Sequence, residues 1–192
     1  MAPKNKFSME QIINAAFEIA KKEGIDGITI RKVADLLGSS IAPIYVNFSD
    51  VKELKQAVIK KVVQLSQQLV YEQNSGSPFQ DIGLASIQFA KEYPVLSKDF
   101  IMKPNEYVGD YDEGMGNELV EHMKKDPDLV GFTDQELMMI LFKMRAFQTG
   151  LTIMISNKTV PEEFDLDEMQ AIMNDVALDV IMATRMRKQK DQ

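Results

Sequence analysis

Signals that start and stop helices recur along almost the whole chain, and hardly any stretch alternates as a strand would. Ser8, followed three residues later by Gln11, has capping-box spacing, and Ile12, Ile13, Ala16, Ile19 and Ala20 then fall at helical intervals before Gly24. Asp26-Gly27 is a turn signal. Only Ile28-Thr29-Ile30 is strand-like, and so short a piece builds no sheet. Thr29 is placed to cap a second helix over 30–37, which Gly38 ends. Ser39 and Ser40 precede a very short third helix. It tolerates Pro43 in its first turn, where an N–H has no helical partner to lose. Ser49 or Asp50 caps a fourth helix reaching about residue 72, with Glu53 at box spacing from Asp50. Asn74-Ser75-Gly76-Ser77-Pro78 is the clearest break. Further helices are expected over about 79–92, 95–102 and 117–125, with residues 104–116 read as a loop and a break at Asp126-Pro127. Two long helices, 134–156 and 165–187, close the chain, so the fold class is all-α.

Composition excludes several kinds of chemistry. The 192 residues include no cysteine, which removes disulfides, thiolate metal sites and cysteine catalysis and fits a reducing, cytoplasmic setting. A single histidine, His122, removes multi-histidine metal sites. Its spacing from Glu118 puts the two on one helix face, but a surface pair is the better reading. Asp110-x-Asp112 lacks the ligand and glycine a calcium loop needs next, and Gly114-x-Gly116 follows no strand. No catalytic constellation, cofactor site or metal site is expected. The longest unbroken apolar run, Leu137 to Phe142, is far shorter than a membrane span, and no apolar stretch follows the N-terminal lysines. Charge is uneven. Residues 1–60 carry nine Lys/Arg against seven Asp/Glu, a net of +2, while the remainder carries −9 of the chain's −7. The two regions are therefore expected to meet different partners.

Residues 29–48, TIRKVADLLGSSIAPIYVNF, have helix-turn-helix character. Val33, Ala34 and Leu37, with Ile30, give the first helix one apolar face, and Ile44 and Phe48 anchor the second inward. The other side of the second helix then shows Ile41, Ala42, Pro43, Tyr45, Val46 and Asn47, suited to methyl contacts with thymine and an amide contact with adenine in a major groove. Ser40, Tyr45 and the helix N-terminus suit phosphates, Arg31 suits a guanine edge, and Ser39 beside them is counted among the DNA-binding residues. An ordinary helical hairpin is the alternative reading of the same pattern.

Over residues 8–58 the chain resembles the TetR (tetracycline-repressor-like) family of transcriptional regulators. The resemblance rests on Ile12-Ile13-x-Ala15-Ala16, Gly24, the Thr29–Gly38 segment, Ile44-Tyr45, Phe48 and Leu54. It implies a three-helix DNA-binding head, a divergent helical effector-binding and dimerisation domain, and a homodimer formed mostly by the last two helices. The division expected is a head over 1–50 and an effector domain over 51–192. By the same resemblance Thr29 presents a helix N-terminus to the DNA backbone. Arg31 meets a base or phosphate, Ile41, Ala42, Pro43 and Asn47 lie in the groove, and Tyr45 contacts phosphate. The family's usual lysine at the start of the fourth helix is Val51 here, with Lys52 beside it, and Pro43 changes what the groove meets.

The helix over 134–156 is apolar on several sides, which calls for cover either by a second subunit or by other helices of the chain. With the resemblance, Leu151 and Met154, together with Met169, Met173, Val176 and Val180 of the last helix, are expected at a dimer interface. Eleven of 13 methionines lie beyond residue 100, most of them suited to a core and some to an adaptable pocket. Met102, Tyr107, Tyr111, Met139, Phe142 and Phe147 are the pocket candidates. The function implied is a ligand-responsive, homodimeric repressor that binds a pseudo-palindromic double-stranded operator and is released by a small-molecule effector. The alternative, prompted by the weakly basic head and Val51, is a helical small-molecule-binding protein of the same fold with weak or non-specific DNA binding. An enzyme is not expected.

Overall fold

The computed structural model describes residues 7–102, 109–156, 159–161 and 164–190, with side chains undescribed at 101, 102, 109–115, 155, 156, 166 and 190. Among the described residues there is no strand, and nine α-helices follow one another: α1 (Met9–Glu23), α2 (Ile30–Leu36), α3 (Ala42–Tyr45), α4 (Val51–Glu72), α5 (Pro78–Glu92), α6 (Pro94–Met102), α7 (Gly109–Met123), α8 (Asp134–Ser156) and α9 (Leu166–Lys190). Short 3-10 turns occupy Ile25–Gly27 and Pro127–Leu129.

Contacts divide the chain into two compact units, residues 1–65 with 92–108, and residues 66–91 with 109–192. The division at 50/51 expected from the sequence falls inside the first unit. That unit also takes the opening turns of α4, whose Leu54 and Val58 are buried, and α6, which packs on α1 and buries Leu96.

Local rules account for the first unit's elements. Ser8 Oγ accepts from Gln11 N–H at 3.1 Å, and Gln11 Oε1 accepts from Ser8 N–H at 2.8 Å, so both halves of the capping box are made. Gly24 ends α1 with φ +80° and ψ 175°, a region in practice open only to glycine. A Cβ there would stand 2.2 Å from Asp99 Oδ2, and that buried carboxylate accepts from Ile25 N–H at 2.7 Å. Asp99 of α6 thus satisfies a donor of the turn after α1, and the glycine makes room for it. Ile28-Thr29 is not a strand: Ile28 closes the 3-10 turn and Thr29 is the extended N-cap of α2. Glu53 N–H donates to Asp50 Oδ1 at 2.9 Å while the Glu53 carboxylate reaches Ser49 N–H and Oγ, so both residues expected to cap α4 are used. Those bonds, the backbone one first, hold the Glu53 carboxyl below its ordinary value.

The second unit packs α8 against α7 and α9 around Phe79, Ile82, Val120, Met123, Leu137, Ile140, Met144 and Met173. Asp126, almost wholly buried, caps the second 3-10 turn through Asp128 N–H (2.9 Å). Its other oxygen accepts from Ser77 Oγ (2.5 Å) and Phe79 N–H (3.0 Å) at the start of α5. The end of α9 is tied down by Arg185 donating to Asp128 O and Lys188 donating to Gly131 O and Glu136. The Lys188 bond, then that from Thr133 N–H, brings the Glu136 carboxyl down to about 2. One expectation fails here: residues 109–116, read as loop, are the first half of α7. Glycine weakens helix propensity, yet tertiary packing of Val120 and Met123 carries the helix back through Gly116 and Gly114.

Helix α8 is long and apolar enough, over 134–154, to cross a membrane by length and composition, although its longest apolar run is short. Its apolar residues serve two sides. Leu137, Ile140, Leu141 and Met144 are buried in the unit's core, whereas Met139 and Phe142 are exposed.

Candidate nucleic-acid interface

Helices α2 and α3 are held at a fixed angle by what lies beneath them. Val33, Ala34, Ile44 and Phe48 are all buried, and Ala34 is small enough to let α3 approach. Gly38, at φ +61°, turns the chain between them. Its N–H donates to Asp35 O at 3.1 Å, and Ser39 N–H donates to Ala34 O at 2.9 Å, which together form a Schellman motif. No heavy atom lies within 4 Å of a Cβ built at Gly38, so the backbone angle alone calls for glycine there. At the other end of α2, Thr29 Oγ1 accepts from Lys32 N–H at 3.2 Å. The Lys32 ammonium is paired with Glu23, which leaves the neighbouring Arg31 as the exposed guanidinium at this helix start.

The outward side of this hairpin is unusual for a surface. Ile41, Tyr45 and Val46 are exposed, Val46 to 58%, as are Ser40 and Ala42 between and beside them. Ser39 and Pro43 are half-buried, and Ser39 Oγ donates to Ser40 O. Apolar side chains this exposed on and beside a four-residue helix add nothing to the unit's core. Leu36, 56% exposed at the end of α2, belongs to the exposed apolar set and was missed by the sequence reading. The signal was available, because Leu36 is the residue that falls off the inward stripe of Ile30, Val33, Ala34 and Leu37.

Asn47 is placed differently from the expectation that it offers an amide to a base. Its Nδ2 donates to Pro43 O at 3.0 Å, closing α3, and the residue is half-buried. Pro43 lacks an N–H but keeps its carbonyl, so the amide finds a partner on its own helix. Lys52 is exposed at the start of α4, and Val51 beside it is half-buried.

The other expected sites are rearranged. Of the pocket candidates, Tyr107 and the side chains of Met102 and Tyr111 lie outside the described residues. Met139 and Phe142 point away from the core, Phe142 being 65% exposed, and Phe147 packs against the core. Of the interface candidates, Met154 is exposed and Leu151 half-buried, but Met169 and Met173 are buried and Val176 and Val180 pack on the core of the same unit. Helix α9 carries two apolar stripes, and periodicity alone does not say which faces inward. The exposed one is Leu178, Met182 and Met186, four residues apart. Glu118 accepts from Gln67, and His122 stands edge-on to Tyr71 at 5.5 Å with both ring nitrogens buried and unbonded.

Comparison with solved structures bears on the fold. The chain is similar to a transcriptional regulator from Rhodococcus sp. Rha1, with a TM-score of 0.69 and 17% identity over 92% of this chain and 97% of that one. It is similar to a variant of TetR from Acinetobacter baumannii AYE in complex with minocycline (TM-score 0.58, 18% identity, 94% and 98% covered). SmeT, the repressor of the Stenotrophomonas maltophilia multidrug efflux pump SmeDEF, is a third (TM-score 0.59, 16% identity, 93% and 90% covered). No family model and no curated protein sequence matches the chain.

Proposed function

From the premise that this chain has the fold of the TetR-family transcription regulators, we propose that it is a sequence-specific DNA-binding repressor, homodimeric, cytoplasmic and responsive to a small molecule. The observation that carries the reading is the exposed side of α2 and α3, with Arg31, Ile41, Ala42, Tyr45 and Val46 outward over a buried Val33–Ala34–Ile44–Phe48 floor. A rigid floor fixes where these side chains reach, which is what reading base edges requires. Ser40, Tyr45 and the α2 N-terminus behind Thr29 supply backbone contacts, which position without specifying. Lys52 adds a cation at the start of α4.

The dimer is drawn from the exposed apolar stripes, Met139 and Phe142 on α8 and Leu178, Met182 and Met186 on α9. A two-fold axis through such a surface presents two heads to half-sites about 34–36 Å apart, or a multiple of that. The effector acts by binding one arrangement of the heads better than the other. No catalytic residue is required. The test is selection of binding sites from a random DNA pool, then affinity for the winner across a salt series. An enriched inverted repeat bound about 1000-fold or more above random DNA is the expected result. Weak, salt-sensitive binding with no enriched motif would favour the alternative suggested by the head's net of only +2, a helical small-molecule-binding protein of the same fold with weak or non-specific DNA binding.

A further inference from the structure

The side chains on the outward side of α3 share a chemical limit. Ile41, Ala42 and Val46 are exposed aliphatic groups with neither donor nor acceptor. Asn47 is the one carboxamide in residues 29–48, and it is folded back. Its Nδ2 donates to Pro43 O at 3.0 Å on its own helix, and the residue is half-buried. A carboxamide held in this way does not present the free donor and acceptor pair that adenine N6 and N7 require. Polar groups flank the aliphatic set. Ser40 and Tyr45 carry hydroxyls, Arg31 lies at the start of α2 and Lys52 at the start of α4, and all four are exposed. An apolar centre with hydroxyls and cations at its edges complements a groove floor bordered by phosphates.

The four bases differ in what they offer such a centre. In the major groove only thymine presents an apolar group, its C5 methyl. Adenine, guanine and cytosine present ring nitrogens, a carbonyl and amino groups there. An aliphatic side chain pressed on those edges strips their water and returns no hydrogen bond. The face therefore discriminates by burial of methyls. We propose that each head reads its half-site through thymine: Ile41, Ala42 and Val46 cover at least two thymine methyls, so the centre of the half-site is rich in A·T pairs. Arg31 supplies the hydrogen-bonded contact, to a G·C pair beside them. This rests on the DNA-binding reading above and names the class of DNA it takes. One methyl moved out of water is worth about fourfold in affinity.

The test takes the full native chain and the inverted repeat enriched from the random pool. Each thymine is replaced in turn, in both half-sites together, by deoxyuridine, which lacks the methyl and keeps every hydrogen-bonding atom. In a parallel series the paired adenines become 7-deazaadenine, which lacks N7 and leaves the methyl in place. Affinities come from fluorescence titration. Deoxyuridine should weaken binding about 15-fold at two or more positions, and 7-deazaadenine should change it by less than about twofold there. Ile41→Ala and Val46→Ala should each shrink the deoxyuridine penalty at one position and leave it at the other. Both side chains are exposed, so a circular-dichroism melt should match the native one. An enriched repeat with a G·C centre, indifference to deoxyuridine, or sensitivity to 7-deazaadenine would overturn the proposal and leave the DNA-binding reading standing. So would a deoxyuridine penalty that is unchanged in both variants, which would assign the methyls to the stiffness of the duplex. No enriched repeat at all would overturn that reading, and this proposal with it.

Discussion

Replacing Gly24 by alanine combines two costs that a double-mutant cycle can separate. At φ +80° and ψ 175° an alanine is strained by about 1–3 kcal/mol. Its Cβ would also lie 2.2 Å from Asp99 Oδ2. That oxygen cannot simply retreat, because it accepts from the buried Ile25 N–H at 2.7 Å. Overpacking of this sort costs about a further 1–3 kcal/mol, so Gly24→Ala should destabilise the fold by roughly 2–6 kcal/mol. Asp99→Ala removes the acceptor and leaves the Ile25 N–H unpaired, a cost of about 1–3 kcal/mol. The double variant should be less unstable than the sum of the two by about 1–3 kcal/mol, because the second alanine clears the space the first one needs. Urea unfolding followed by circular dichroism gives all four values. Additivity within about 0.5 kcal/mol would refute the argument that Gly24 makes room for Asp99, and leave backbone conformation as the whole effect.

Arg31→Ala should weaken binding to the selected DNA site by about 1–3 kcal/mol and relax preference at one position per half-site. Unchanged affinity in a fluorescence titration would remove Arg31 from the reading set. Phe142→Asp should raise the dimer dissociation constant by more than about 100-fold, seen by sedimentation velocity, with little change in the monomer's fold because this ring is 65% exposed. A variant that stays dimeric would move the interface elsewhere. His122, the chain's single histidine, should titrate below its ordinary 6.5, because burial and then Lys125 disfavour its charged form against a smaller opposing pull from Asp81. The unfolded chain then binds the proton more readily, so this stability is fully present above pH 6.5 and is lost as pH falls through the folded value. Its ring-proton NMR signal gives the midpoint, and a value above 6.5 would reverse the sign.

What the sequence made legible was governed by local chemistry. Ser8 with Gln11, Thr29, Gly24 and Gly38 act through bonds to residues a few positions away, so their spacing alone placed α1 and α2 and the turn before α3. The inward residues of the head were legible for the same reason, since a short helix has one stripe. Helices α8 and α9 each carry two, and which faces inward is decided by the partner. Met169 and Met173, expected at the interface, therefore pack inward, while Leu178 and Met182, which the spacing only adds to the edge of the same stripe, are exposed. The start of α7 was lost because Gly109, Gly114 and Gly116 speak for a loop and only tertiary packing overrides them. Asp99 and Asp126 were invisible as buried acceptors, because the N–H groups they serve at Ile25 and Phe79 lie far off in sequence.

The claim that the outward side of α3 reads sequence is tested most directly by changing one of its residues and asking whether the DNA changes with it. Ala42 is exposed at the first turn of this helix. Site selection run in parallel on the native chain and on Ala42→Asn should return two inverted repeats with the same half-site spacing. They should differ at one position per half-site, where asparagine selects adenine through its N6 and N7. The same motif from both proteins, at the same affinity, would mean that this face does not read the bases.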